Sequence, residues 1–140
     1  MCRVRTTLAV ALAATTSAGC AGPSAPEPPG GGEEYVLDYA QFQASVAPVL
    51  VDAGCHAGAC HGGGIRGTLE LSPSDALDPA FDFEQVRLQV DPWSPENSPI
   101  LTKPLASDPG GESHAWEPFA TTDDPGYQAI LAWILAGEFP

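Results

Sequence analysis

Methionine is nearly missing from this chain: the only one is Met1. No internal thioether is on hand to ligate a metal or to build the adaptable apolar surface of methionine-rich interfaces. Cations are also scarce. Five Lys and Arg stand against 18 Asp and Glu, a formal net charge of −13, which excludes a protein that works by neutralising nucleic-acid phosphates. No apolar run approaches the ~20 residues that a membrane-spanning helix needs. Sustained period-two alternation is lacking, and Thr68–Leu71 is too brief to seed a sheet. There is no Ser-His-Asp order, no phosphate-cradling glycine motif and no carboxylate pair that stands out, so hydrolase and nucleotide-binding classes find no support. Internal repeats are absent too.

What is present is punctuation: 15 Gly and 15 Pro in 140 residues point to short elements joined by long connections. The first stretch, 1–19, has a short basic start at Arg3 and Arg5, an apolar run Leu8–Ala14, and small residues ending Ser17-Ala18-Gly19. This is the layout of an export signal. With Cys20 it resembles the lipobox of bacterial lipoproteins, Ser17 standing where Leu is usual, and the resemblance implies lipidation of Cys20. An ordinary signal peptide that leaves Cys20 free is the alternative. Residues 20–34, rich in Pro, Gly and Glu, have almost no side chain able to offset the entropy of ordering and read as a flexible tether. The expectation is an exported protein held by its lipid to a bacterial membrane, on the periplasmic or cell-surface side. Losing Arg3 and Arg5 makes the mature chain still more acidic, so a protein partner that docks electrostatically should carry a basic face; surface acid equally maintains solubility.

Residues 35–140 are predicted to form one mainly α domain with long loops and little or no sheet. Asp38 can cap a helix from Tyr39, along which Phe42, Val46, Val49 and Leu50 recur at helical spacing, with Pro48 dividing it and Gly54 closing it. A short helix is expected over Asp82–Leu88 with Phe83 and Val86 inward, and a turn over Ser94–Pro99 leading into Ile100 and Leu101. Asp124-Pro125 starts the clearest helix, whose apolar face is Tyr127, Ile130, Leu131, Ile134 and Leu135 before Gly137 ends it.

The chemistry concentrates at Cys55-His-Ala-Gly-Ala-Cys60-His61. Two thiols can fix a haem through its vinyl groups, and a histidine beside the second thioether is placed to ligate the iron; Cys-x-x-Cys-His is the sequence mark of that attachment. Here the spacer has four residues. His56 reads as a solvent-facing member of it, and Gly62-Gly63-Gly64 as room for the backbone to pass a flat ring. Two alternatives stand beside haem: a Cys55–Cys60 disulfide in a haem-free lipoprotein that serves as a binding module, and a zinc site of Cys55, His56, Cys60 and His61.

From Phe42 onward the chain resembles the small cytochrome c domains of planctomycetes and related bacteria. The residues that carry this are Val46-Ala-Pro-Val-Leu50, Gly58-Ala-Cys-His-Gly62, Leu69-Glu-Leu-Ser72, Asp78-Pro-Ala-Phe-Asp-Phe83, Pro95-Glu-Asn-Ser98 with Leu101 and Lys103, and Tyr127–Ile134 with Gly137, in that order. The resemblance implies one covalent haem c on Cys55 and Cys60, His61 as proximal iron ligand, and electron transfer to a redox protein rather than catalysis. With no internal methionine, the distal ligand falls to His114, ahead of His56, Lys103 or no sixth ligand at all. In the family a Pro-His-Gly-Gly-type segment precedes the last helix; here Gly110-Gly111 come before His114 instead. A second imidazole in place of a thioether lowers the iron potential. If His114 is displaceable, a haem sensor or haem enzyme is the alternative. Arg66, Arg87 and Lys103 are available for the haem carboxylates. Trp133 is expected to rest on the haem edge and Trp116 to wall the distal side.

Overall fold

The computed structural model of the chain describes residues 34–140. The expected signal segment 1–19, Cys20 and all of the tether but Glu34 lie outside the described residues.

The Asp38 carboxylate accepts the Gln41 N–H, taking up a donor that a helix start leaves free. α1 (Tyr39–Gln41) runs into a π turn (Phe42–Val46) and on into α2 (Ala47–Asp52). The wide turn answers Pro48, which has no N–H to donate and whose ring crowds the carbonyl one turn back. Ala47 N–H reaches five residues back to Phe42 O instead. Pro48 thus divides the helix, as its position predicts, and the division lies just upstream of it. Phe42, Val46 and Leu50, spaced by four, are all buried.

α2 closes in a Schellman motif. Gly54 sits at φ 74°, its N–H donates to Val51 O at 3.0 Å, and Cys55 N–H donates to Leu50 O at 3.0 Å. A residue without Cβ at that turn is what swings the chain from the helix into the loop bearing Cys55 and Cys60.

α3 (Pro79–Val86) starts three residues before the expected Asp82 and continues as a 3-10 turn, Arg87–Gln89. Asp78 accepts the Ala80 and Phe81 N–H groups, and Pro79 occupies the first helical position, where its missing N–H costs nothing. Val86 is fully buried, and Phe83 is half-buried, edge-on to Phe42 with ring centroids 5.4 Å apart. The Ser94–Pro99 turn is a 3-10 turn, Pro95–Asn97, followed by α4 (Pro99–Thr102), which buries Ile100 and Leu101.

α5 (Pro125–Leu135) is capped by Asp124, which accepts Gly126 N–H at 2.8 Å. Its buried face is Tyr127, Ile130, Trp133 and Ile134. Leu131 is only partly buried and Leu135 is exposed, so the helix is rotated toward Trp133 relative to the face read from its aliphatic residues. Trp133 packs on Phe42, centroids 5.4 Å apart, and donates its indole N–H to Asp38 O at 2.9 Å, joining the last helix to the first.

The fold is mainly helical. Among the described residues β pairing is confined to isolated bridges. One of them, Val36 with Glu138, clasps the two ends of the domain through paired backbone bonds of 2.9 and 3.1 Å. Tyr35 reinforces it by donating its hydroxyl to Ile134 O. A Cβ on Gly137 would fall 2.6 Å from the Tyr35 ring and push it from this place. No helix among the described residues is long and apolar enough to cross a membrane.

Candidate functional site

The loop after α2 is folded back on itself by its own backbone: Cys60 N–H to Ala57 O at 2.8 Å, His61 N–H to Cys55 O at 3.0 Å, and Leu71 N–H to His61 O at 2.9 Å. Two close approaches make this possible. A Cβ on Gly62 would lie 2.7 Å from the His56 carbonyl carbon, and one on Gly63 3.0 Å from the Gly58 carbonyl carbon. Gly62 and Gly63 therefore serve loop packing. None of Gly62, Gly63 and Gly64 lines the cavity described next, which corrects the expectation that they clear space for a flat ring.

Beside this loop lies a cavity of about 330 Å³, within the range of small-molecule and cofactor sites. Leu50, Leu69, Ile100, Phe119 and Ile130 supply apolar wall from α2, the loop, α4, the segment before α5, and α5 itself. Cys55, Cys60, His61 and His114 all line it, so four residues from two distant stretches of sequence meet there. Both cysteines are free thiols.

The two histidines face each other. Their ring centroids are 6.0 Å apart and their planes differ by 13°. Each is fixed through Nδ1, His61 at 3.1 Å from Leu69 O and His114 at 2.7 Å from Trp116 O. A carbonyl oxygen only accepts, so these bonds put the proton on Nδ1 in both neutral rings and leave Nε2 a lone pair; the Trp116 N–H, 3.4 Å from the same His114 nitrogen, is the longer and weaker contact. This is the arrangement by which proteins orient metal-ligating imidazoles.

Burial pushes the His61 pKa below the usual histidine value, with His114 and Arg66 adding to it against the Leu69 hydrogen bond. That favours the unprotonated form, the one able to ligate. Burial, followed by the Cys60 charge, pushes the Cys55 thiol up to about 11.

The His114 segment is anchored at several points. Trp116, exposed on the cavity rim, donates its indole N–H to Ala53 O at 2.8 Å, tying the distal segment to the end of α2. Ala106 N–H donates to Phe119 O at 2.8 Å and Glu112 N–H to Thr102 O at 2.8 Å, while Lys103 pairs with Glu112. Arg66 and Lys103 both line the cavity and can meet anionic groups of a ligand. Arg87 does not: it pairs with Glu84 at 2.7 Å and with Glu34 at 3.7 Å and is absent from the lining. Trp133 lies in the core and lines no part of the cavity, correcting its expected place at a haem edge; Ile130 holds that position from α5.

His56 is the clearest departure from the sequence reading. It is 3% exposed rather than solvent-facing. Its Nδ1 is 2.7 Å from Ser72 O and 3.9 Å from Asp82 Oδ2, and it has no part in the cavity lining. A four-ligand zinc set with Cys55, Cys60 and His61 is therefore not assembled. Among the described residues no group of three or more His, Cys, Asp or Glu is placed to hold a metal ion. Asp82 itself escaped the sequence reading, since nothing local marks an acid in a helical stretch as buried. Comparison with protein-family models, curated proteins and solved structures finds no match to this chain.

Proposed function

We propose that the chain is an exported, lipid-anchored c-type cytochrome that carries electrons through one covalent haem, in a small cytochrome c-like domain. The observation that carries this reading is the facing pair His61 and His114, each oriented by a backbone carbonyl, on the wall of a largely apolar cavity that also holds the Cys55 and Cys60 thiols. The order of motifs along the sequence supports it independently.

In this reading Cys55 and Cys60 would hold a haem covalently, as thioethers to its two vinyl groups. His61 and His114 would ligate its iron. When bound, the haem supplies a one-electron ferric–ferrous couple. The protein's part is to orient both imidazoles through Nδ1, to exclude water with Leu50, Leu69, Ile100, Phe119 and Ile130, and to offer Arg66 and Lys103 to the two haem carboxylates. Two imidazoles in place of His/Met ligation, together with an acidic chain, favour the ferric state and a low potential. A lipid on Cys20 and the tether to residue 34 hold the domain at a membrane, where it exchanges electrons with a partner that presents a basic face.

The test is expression in a host with a working cytochrome c maturation system, followed by intact-mass measurement of the purified chain. The expected result is a mass higher by one haem, lost in the Cys55→Ala, Cys60→Ala double variant. A mass equal to the bare polypeptide, with a control cytochrome matured in the same cells, overturns the proposal.

One observation favours a second reading, a sensor or haem enzyme in which His114 is displaced. His114 sits in a loop, and its own N–H bond, to Glu117 at 3.4 Å, is long. Ready binding of carbon monoxide by the reduced wild-type protein selects that reading; no binding selects the electron carrier. The free thiols leave the disulfide-stapled binding module without a supporting observation.

A further inference from the structure

A second cavity, of about 280 Å³, lies between α2 and the start of α3 and shares no lining residue with the first. Pro48, Val51, Leu77 and Pro79 form its apolar walls; the polar groups are His56, Asp82, Gln43 and, at the rim, Asp52. No Lys or Arg lines it.

The two buried polar groups are both left with something to accept. His56 Nδ1 donates to Ser72 O, so in the neutral ring Nε2 presents a lone pair. No side chain or backbone group among the described residues hydrogen-bonds to that nitrogen. No fully buried side-chain nitrogen or oxygen among them lacks a partner, so Nε2 is not fully buried, and His56 is one of the residues lining the cavity. Asp82 is 2% exposed. Its Oδ1 accepts the Ser72 N–H at 2.7 Å and its Oδ2 the Ser72 hydroxyl at 2.8 Å, which leaves each oxygen a further lone pair. No Lys or Arg pairs with it among the described residues, and the His56 Nδ1 proton is committed to Ser72 O.

His56 Nδ1 lies 3.9 Å from Asp82 Oδ2 but bonds to Ser72 O, so the buried carboxylate has no hydrogen-bonded cation, and a bound one relieves its desolvation cost. A bare metal ion is poorly served, since no group of three or more ligating side chains is placed there. Acceptors inside, apolar walls outside and no positive charge suit a cation that has both N–H groups and a short hydrocarbon chain. We propose that this cavity binds a small primary ammonium compound. Its N–H groups donate to His56 Nε2 and the Asp82 carboxylate, and its alkyl chain lies against Pro48, Val51 and Leu77. The site is independent of the haem reading, since it stands whether or not the first cavity is loaded.

The experiment is a nitrogen NMR titration of the full chain, following the His56 ring signals, with n-propylammonium chloride as the probe and tetramethylammonium chloride at equal ionic strength as the control. The expected result is a saturable shift with the primary ammonium only. Asp82→Asn should weaken binding by about tenfold or more, the worth of a hydrogen bond to a charged partner. Leu77→Trp, on the exposed rim, should abolish it by filling the cavity without touching the Ser72 network. If Asp82→Asn does not fold, Leu77→Trp decides. A shift that does not saturate, that tetramethylammonium reproduces, or that survives Leu77→Trp overturns the proposal.

Discussion

Replacing Gly62 by Ala separates two accounts of the glycine run after His61. The added Cβ would lie 2.7 Å from the His56 carbonyl carbon, closer still to its oxygen, and 3.1 Å from Pro73 Cα. All three are backbone atoms and cannot swing aside as a side-chain tip would. Overpacking costs typically ~1–3 kcal/mol, and neighbours this stiff argue for the upper half, about 2–3 kcal/mol. For a domain of about a hundred residues that lowers the melting temperature by roughly 10–20 °C. Gly58→Ala is the control: nothing lies within 4 Å of its added Cβ, and its cost should stay within ~0.5 kcal/mol. Thermal unfolding followed by circular dichroism should be run on haem-free protein. If Gly62 were bare only to admit a flat ring, the haem-free variant would melt like wild type. A haem-free Gly62→Ala that melts within ~2 °C of wild type, or a Gly58→Ala that is equally damaged, refutes the loop-packing account.

Further expectations concern the thiol, the core and the distal ligand. With the Cys55 pKa raised from 9.0 to about 11, its thiolate fraction at pH 8 should be ~100-fold below that of an unperturbed thiol; iodoacetamide labelling with peptide mapping reads this, and labelling at the rate of a free peptide contradicts it. Because the folded value is the higher one, the unfolded chain loses this proton first. The contribution of Cys55 to haem-free stability is thus intact below pH ~9 and falls as the pH rises through about 11, so urea midpoints should drop over that window. Trp133→Phe removes the N–H bond to Asp38 O at 2.9 Å and some buried volume; a loss of ~1–3 kcal/mol is expected from urea unfolding, and an unchanged midpoint would show that this contact contributes nothing. In haem-loaded protein, His114→Ala should open a coordination position, so that the reduced variant binds carbon monoxide while wild type does not; a variant that binds no carbon monoxide rules His114 out as a ligand.

The sequence is most readable where one residue decides a local outcome. Asp38, Asp124-Pro125, Pro48 and Gly54 each act within a few residues of their own position, and the helix start, division and closure they imply are present. Asp78-Pro79 carries the same start signal as Asp124-Pro125. It lay beyond a reading that set the α3 boundary by the apolar pair Phe83 and Val86. The burial of His56 and Asp82 was not legible at all, because it depends on Ser72 arriving from a neighbouring segment to bond both. The same holds for Trp133: its spacing admits either a ligand edge or the core, and only the position of Phe42 and Asp38 O selects the core. That Cys55, Cys60, His61 and His114 line one cavity required a fold in which the 105–119 segment is tied to α4 and, through Trp116, to the end of α2.

A pyridine haemochrome spectrum after acid–acetone extraction tests the covalent haem most directly, on protein purified from a host that matures c-type cytochromes. The account predicts a c-type spectrum that stays with the polypeptide through extraction. A spectrum lost to the solvent, or no haem absorbance while a control cytochrome is matured in the same cells, would contradict it.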